Sequence, residues 1–114
     1  MNLIATARKV ASTRALLAAH GMADLFTEIF SLEQGYPPKP DPAILLATLQ
    51  RHALNPAETM LIGRHELDIL AGQAAGVATC LFGAAAVSSL PALHVQDYGS
   101  LLVCLDELSN KDAR

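Results

Sequence analysis

The sequence predicts an α/β fold with a mostly parallel β-sheet. Short apolar runs alternate with segments of helical periodicity, and Gly or Pro residues mark many of the joins between them. This alternation is typical of successive strand-helix units. The length agrees with it, because a chain of 114 residues can bury roughly two-thirds of its unfolded surface. We therefore expect a single domain over residues 1–114.

The composition indicates a globular protein and argues against several partners. The chain is 52% hydrophobic and 17% charged, which is unlike disordered or fibrous sequences. Its net charge is -3 and its eight Lys and Arg residues are scattered, so we expect no nucleic-acid partner. The longest nearly apolar run, 76–87, is shorter than the roughly 20 residues that a membrane span needs. We expect no membrane partner either.

Cys80 and Cys104 lie in apolar surroundings without a second Cys or a His at metal-ligand spacing. We expect buried free thiols rather than a disulfide, and hence a reducing compartment such as the cytoplasm. The first 23 residues contain basic residues but no acid, which is also found in transit peptides. We favour structure over targeting, because Leu3-Ile4-Ala5-Thr6 fits the end of a strand.

The first half of the chain predicts two strands and two helices. We expect strands at Asn2–Ala5 and Glu28–Ser31, and a helix over Val10–His20 closed by Gly21. A second helix starts where Asp41 can cap it and Pro42 can occupy its first turn. The residues of this helix expected to face the sheet are Ile44, Leu45, Leu49 and Ala53.

The second half repeats the alternation after a turn at Asn55-Pro56. The predicted elements are a buried strand at Thr59–Gly63, a helix at Leu67–Ala75 ended by Gly76, strands at Val77–Phe82 and Ala92–Val95, and a closing helix at Ser100–Leu108. An alternative for the last segment is a strand over Leu101–Leu105.

Residues suited to phosphate chemistry follow the predicted strands. Thr6, Lys39 and the loop 63–68 all come where the carboxyl ends of parallel strands converge on one crevice. Phosphoryl transfer depends mainly on groups that position the phosphoryl oxygens and neutralise their charge. Hydroxyls and cations at the carboxyl ends of these strands are suited to binding phosphoryl oxygens.

Three segments carry a resemblance to a known family. They are Lys39-Pro40-Asp41-Pro42, Met60-Leu61-Ile62-Gly63-Arg64-His65-Glu66-Leu67-Asp68, and Ala71-Gly72-Gln73-Ala74-Ala75-Gly76-Val77. The chain resembles the haloacid dehalogenase-like (HAD) superfamily over about Asn2 to Phe82, and its phosphoglycolate phosphatase-like members most. The resemblance implies a Rossmann-like three-layer α/β/α core and Mg²⁺-dependent hydrolysis of a small phosphorylated molecule through an aspartyl-phosphate.

The resemblance also implies roles for individual residues. Thr6 matches the hydroxyl of the second motif, which donates to a phosphoryl oxygen, and Lys39 matches the lysine that contacts the phosphoryl group and the nucleophile. Asp68 matches the second acid of the fourth motif, which binds the metal, and Arg64 stands at the first acid. Simpler roles remain open: Thr6 or Asp68 as a helix cap, Lys39 as a solvated lysine, and His65 as an exposed loop residue.

Two departures from the family pattern bear on activity. The 114 residues contain no Asp-x-Asp nucleophile pair, and Arg64 places a cation where Mg²⁺ would need an acid. We therefore expect a HAD-like fragment or a degenerate member that is inactive alone. The alternatives are a non-catalytic phosphate-binding or regulatory module that uses Thr6, Lys39 and Arg64, and an unrelated α/β domain.

The family pattern also bears on how the strands of the sheet pair. In the family, the nucleophile strand lies between the strand ending at Thr6 and the strand ending at Gly63, and a cap domain is also present. Without that strand, the two neighbours must pair directly, leave a gap, or accept a strand from another molecule. A homodimer or a missing N-terminal half is therefore expected as a partner.

Overall fold

The computed structural model describes residues 1–83, 87–97, 99–103 and 105. In chain order, its strands and longer helices are β1 (Leu3–Thr6), α1 (Val10–Ala19), β2 (Glu28–Ser31), α2 (Ala43–Arg51), β3 (Met60–Gly63), α3 (Glu66–Ala75), β4 (Ala78–Phe82) and β5 (Leu93–Val95). Short 3₁₀ turns lie at Ala23–Leu25, Leu32–Gln34 and Pro56–Glu58. The strand-helix alternation confirms the predicted α/β class.

The strands form two parallel sheets. β1 pairs with β2, with Leu3 opposite Glu28. β3, β4 and β5 follow one another in the second sheet, with Met60 opposite Ala78. Within the part of the chain that the structure describes, no ladder joins β1 to β3. Direct pairing of β1 with β3 is therefore wrong for the described residues, and a gap separates the two strands.

Helix α2 connects the two sheets through the hydrophobic core. It packs against β1, β2 and α3, and α3 packs against β3 and β4. Ile44 of α2 is completely buried. The buried residues of the main core cluster are Phe30, Ile44, Leu45, Leu49, Ala71, Ala75 and Val77.

Most predicted boundaries lie within one residue of those observed, and the prediction for β2 is confirmed. Gly21 and Gly76 follow α1 and α3 with φ of 66° and 79°, a backbone conformation that glycine adopts at little cost. β1 is shifted by one residue, because Thr6 still pairs with Ser31. The positions of Gly21 and Gly76 in the sequence thus predicted where helices α1 and α3 end.

Two details of α2 correct the prediction. The Asp41 carboxylate accepts a hydrogen bond from the Ala43 N–H at 2.9 Å, so the helix starts at Ala43 and Pro42 precedes its first turn. Ala53 does not face the sheet from the helix. It follows the end of α2 with φ of 50°, in the turn that leads to Asn55.

β3 was predicted to be buried, but Ile62 is 43% exposed. The strand borders the gap between the sheets, which leaves this side chain without a neighbouring strand on that side. Residues 99–103 are helical, which supports the closing helix over the alternative strand. The predicted end at Leu108 and the thiol of Cys104 lie outside the described residues.

The Cys80 side chain is completely buried, as predicted. Among the described residues, no helix combines the length and the apolar character that crossing a membrane would require.

Candidate functional site

Lys39 joins the carboxyl ends of β1 and β3. Its Nζ donates to the Asp68 carboxylate at 2.8 Å and to the Ala5 carbonyl at 3.2 Å. The side chains of Lys39 and Asp68 are 20% and 18% exposed, so solvent screens the pair less than at an open surface. The structure therefore brings together Lys39 and Asp68, two of the predicted site residues, and places them beside the end of β1.

Asp68 also caps α3. Its second oxygen accepts from the backbone N–H groups of Arg64 and His65, each at 3.3 Å. Gly63 makes this approach possible, because a Cβ added at Gly63 would lie 2.4 Å from the Asp68 Cβ. The Asp68 carboxylate therefore caps helix α3, as suggested from sequence, and also contacts Lys39.

Thr6 lies directly after Ala5, at the same edge of the sheet. Its hydroxyl oxygen accepts from the Arg8 N–H at 3.0 Å and stabilises the turn that leaves β1. The hydroxyl proton remains available to donate to a ligand. The capping role left open for Thr6 is therefore compatible with a second role toward phosphate.

Arg64 and His65 are exposed at the start of α3. His65 is the N-cap residue of the helix, in keeping with the exposed loop position expected for it. Arg64 takes part in no ion pair within the described ranges. Its guanidinium is thus available to an anion, whereas its backbone N–H holds Asp68.

The acidic groups at this edge do not make a complete magnesium site. Mg²⁺ prefers an octahedral set of oxygen ligands. No cluster of three or more His, Cys, Asp or Glu side chains suited to a metal ion occurs among the residues that the structure describes. Asp68 is instead engaged by Lys39 and by two backbone N–H groups. The described residues alone therefore do not fit Mg²⁺.

The contact between Glu66 and the loop after β4 was not predicted from the sequence. One Glu66 oxygen accepts from the N–H groups of Ser88 and Ser89, at 3.0 and 2.9 Å, and from the Ser88 hydroxyl at 2.5 Å. These bonds, that of the Ser88 hydroxyl first, lower the pKa of Glu66. No short spacing predicts the contact, because the partners are 22 and 23 residues apart.

Ser31 is a second residue that was missed. It is fully buried, and its hydroxyl donates to the Arg8 carbonyl at 2.7 Å and accepts from the Glu33 N–H at 3.2 Å. It thereby fixes the turn after β1, next to Thr6. The pattern Ser31-Leu32-Glu33-Gln34 is a capping box, so its spacing could have identified Ser31.

Comparisons with known proteins identify the family of this chain. A sequence profile of the family described as haloacid dehalogenase-like hydrolase matches residues 3–82, well over half of the chain. The chain belongs to this family. The matched span includes β1, the Lys39 loop, and the segment from Gly63 to Asp68.

Two curated relatives of this HAD family member are phosphoglycolate phosphatases. The protein of Vibrio vulnificus (strain YJ016) is 33% identical over 64 residues, which cover 56% of this chain and 28% of that protein. The protein of Cereibacter sphaeroides is 35% identical over 79 residues, which cover 69% and 35%. The chain thus spans about a third of the length of these relatives.

Solved structures share the HAD fold. YfnB of Bacillus subtilis, a candidate HAD-hydrolase solved with bound magnesium, superposes with a TM-score of 0.81 at 23% identity, covering 91% of this chain and 47% of that one. A predicted phosphoglycolate phosphatase of Haemophilus somnus 129pt gives a TM-score of 0.79 at 21% identity, covering 90% and 48%. The Rossmann-like α/β architecture is thereby confirmed.

Proposed function

We propose that this chain forms the supporting half of a HAD-type phosphomonoester phosphatase site and does not hydrolyse phosphate esters alone. Thr6 and Lys39 bind the phosphoryl group, and Asp68 holds Lys39 in place. Asp68 would be a metal ligand only in a site completed by further acidic groups. The observation that carries the proposal is the position of Lys39 Nζ, 2.8 Å from Asp68 and 3.2 Å from the Ala5 carbonyl.

The bonding of Lys39 explains how it would serve a phosphate ligand. An ammonium group has three donors, and two of them point to Asp68 and Ala5. The third remains for a phosphoryl oxygen, and Thr6, the residue after Ala5, carries a hydroxyl at the same end of β1. Fixed donors of this kind stabilise the charge on a phosphoryl group without moving during the reaction.

The missing step is the formation of a covalent intermediate. The resemblance assigns it to the first Asp of an Asp-x-Asp pair, and the 114 residues contain no such pair. We infer that these residues do not form an aspartyl-phosphate by themselves. Because the relatives are named phosphoglycolate phosphatases, a small phosphorylated acid is the first substrate class to test with the completed site.

Because these residues contain no nucleophilic Asp of an Asp-x-Asp pair, we expect no phosphatase activity from them alone. With p-nitrophenyl phosphate and Mg²⁺, the isolated chain should release nitrophenol no faster than buffer. Lys39→Ala is the matched control for contaminating phosphatases, since it removes the central cation of the proposed site. A Mg²⁺-dependent rate in the native chain that Lys39→Ala abolishes would overturn the proposed inactivity and would support the site.

The metal site is proposed to be incomplete because Arg64 stands beside Asp68. Arg64→Asp would replace a cation with a carboxylate and should give Mg²⁺ binding that calorimetry detects, whereas the native chain should show none. Arg64→Asn is the matched control, because it removes the positive charge without adding a carboxylate. Equal Mg²⁺ binding by the native chain would contradict the proposal.

A non-catalytic phosphate-binding module is the second candidate. The guanidinium of Arg64, which has no ion-pair partner within the described ranges, favours it. Binding of inorganic phosphate in EDTA that Arg64→Ala weakens and Arg14→Ala leaves unchanged would support this candidate. The absence of binding heat would exclude it. For either function we propose a cytoplasmic location, on the apolar sequence surroundings of Cys80 and Cys104.

A further inference from the structure

The loop between β1 and α1 follows Thr6, and a side chain at the end of β2 contacts it. The two strands are parallel neighbours, and Thr6 lies opposite Ser31 at their carboxyl ends. Ser31 is completely buried, whereas Arg8 of the loop is exposed. The hydroxyl of Ser31 donates to the Arg8 carbonyl, so a fixed group of the sheet acts on the loop that follows Thr6.

Hydrogen bonds hold the backbone of Arg8 on both sides. Its N–H donates to the Thr6 hydroxyl oxygen at 3.0 Å, and its carbonyl accepts from the Ser31 hydroxyl at 2.7 Å. The Ser31 oxygen in turn accepts from the Glu33 N–H at 3.2 Å. The single proton of the Ser31 hydroxyl is therefore directed to Arg8. A continuous series of hydrogen bonds thus runs from the end of β2 to Thr6.

The bond from Arg8 limits what the Thr6 hydroxyl can do. A hydroxyl has one proton and two lone pairs, and the Arg8 N–H uses one of these lone pairs. The hydroxyl proton points away from that N–H, because two donors cannot share a bond. No group of the described residues accepts this proton. The proton is thus left for a ligand oxygen as long as Arg8 keeps its place.

The place of Arg8 depends on the Ser31 hydroxyl. Without it, the Arg8 carbonyl would face an apolar group, and an unpaired carbonyl in such surroundings costs free energy. Because Arg8 and Lys9 are exposed, the peptide between them can turn its carbonyl to water instead. This rotation changes the backbone angles of Arg8 and moves its N–H away from the Thr6 oxygen.

The remainder of the loop has separate anchors. The Val10 N–H donates to the Glu33 carboxylate, and the Lys9 carbonyl accepts from the Thr13 hydroxyl at 2.9 Å. Neither bond involves the Ser31 side chain. Helix α1 should therefore keep its start when Ser31 loses its hydroxyl, and the change should be confined to the residues before Lys9.

We infer that Ser31 is a positioning residue for Thr6. Its hydroxyl holds the Arg8 N–H on the Thr6 oxygen, so that Thr6 keeps one side-chain rotamer and presents its proton to a phosphoryl oxygen. The orientation of Thr6 is a property of the chain itself, whereas its use toward phosphate rests on the proposed function. Since a fixed donor binds without reorganisation, a mobile Thr6 should bind phosphate more weakly.

The first test measures Thr6 without a ligand. Three-bond NMR couplings from its Cγ2 carbon to the backbone report the rotamer about the Cα–Cβ bond. The native chain should show one rotamer. Ser31→Ala should show averaged couplings, and its Arg8 amide should exchange at least about threefold faster. Averaged couplings in the native chain, or native couplings and exchange in Ser31→Ala, would overturn the inference.

If Ser31→Ala does not fold, Ser31→Cys takes its place. A thiol is close to a hydroxyl in shape but is only a weak donor, so the same changes are expected at Thr6 and Arg8. Native couplings and exchange in Ser31→Cys would equally overturn the inference.

Thr13→Val is the matched control. Thr13 is also buried, and its hydroxyl also donates to a loop carbonyl, that of Lys9. Valine keeps the shape of the side chain and removes the donor. The Thr6 couplings and the Arg8 exchange should stay native in Thr13→Val. Equal changes in Thr13→Val and Ser31→Ala would show a general loosening of the loop and would overturn the role of Ser31.

Titration with inorganic phosphate in EDTA, followed by calorimetry, tests the link to the site. Ser31→Ala should weaken binding about as much as Thr6→Val, at least about threefold, and the double variant should bind no more weakly than Thr6→Val. Native affinity in Ser31→Ala, with weaker binding in Thr6→Val, would overturn the inference and leave the proposed function intact. No binding by the native chain would count against the proposed site, and the Thr6 couplings would still decide the role of Ser31.

Discussion

At the scale of single residues, Lys39 connects parts of the chain that are far apart in sequence. It contacts Ala5, 34 residues before it, and Asp68, 29 residues after it. Because β1 and β3 do not pair within the described residues, this side chain is a polar link across the gap. The residue expected to bind phosphate therefore also holds the two sides of the site at a fixed separation.

Glu66 leads to a prediction about pH. Its bonds to Ser88 and Ser89 lower its pKa from the ordinary value of 4.5, so the charged form is favoured in the folded protein. The stabilisation is present above 4.5 and is lost as the pH falls through the lowered pKa. In an NMR titration, the amide signals of Ser88 and Ser89 should shift with a midpoint below 4.5.

Glu66→Gln is the control for this titration. Glutamine keeps an acceptor oxygen for the two serines but cannot titrate, so the low-pH midpoint should disappear from both signals. A midpoint that persists in Glu66→Gln, or one at or above 4.5 in the native chain, would show that another group controls the loop.

At the scale of secondary structure, the close packing of α3 on the sheet depends on Gly72. A Cβ added there would lie 2.6 Å from the Thr79 Cγ2 and 2.9 Å from the Leu61 Cδ2. Gly72→Ala gains about 1 kcal/mol of helix propensity but overpacks the interface at a cost of about 1–3 kcal/mol. We expect a net loss of about 1 kcal/mol in the free energy of unfolding, measured with urea.

Thr79→Ser tests the cause of that loss. It removes the Cγ2 methyl group that is nearest to the added Cβ and keeps the hydroxyl. Gly72→Ala should therefore cost less in the Thr79→Ser background than in the native chain. An equal loss in both backgrounds would mean that overpacking against Thr79 is not responsible.

Elements were predictable from sequence where local chemistry determines them. Gly21 and Gly76 mark helix ends because they adopt positive φ, and the alternation of strands and helices gives the fold class. The family pattern led to Lys39 and Asp68, which the structure brings into contact. The bond from Glu66 to Ser88 and the exposure of Ile62 depend on tertiary arrangement, which no local pattern encodes.

At the scale of the whole molecule, α2 connects two sheets that do not pair with each other. It contacts β1 and β2 of one sheet and packs against α3, which covers β3 and β4 of the other. Since its buried face belongs to a core cluster with residues from both sides, damage to α2 should affect both sheets. We therefore expect the two halves to unfold together.

Ile44→Ala tests this cooperativity. Ile44 is fully buried in α2, so the variant should lose about 2–5 kcal/mol in the free energy of unfolding. The amide signals of Phe30 in β2 and Leu81 in β4 should report the same lowered urea midpoint. Leu46→Ala is the matched control, because Leu46 lies on the same helix but is 47% exposed, and it should cost about 0.5 kcal/mol. A lowered midpoint for Phe30 alone would show that the two sheets unfold independently, and α2 would then stabilise only the first of them.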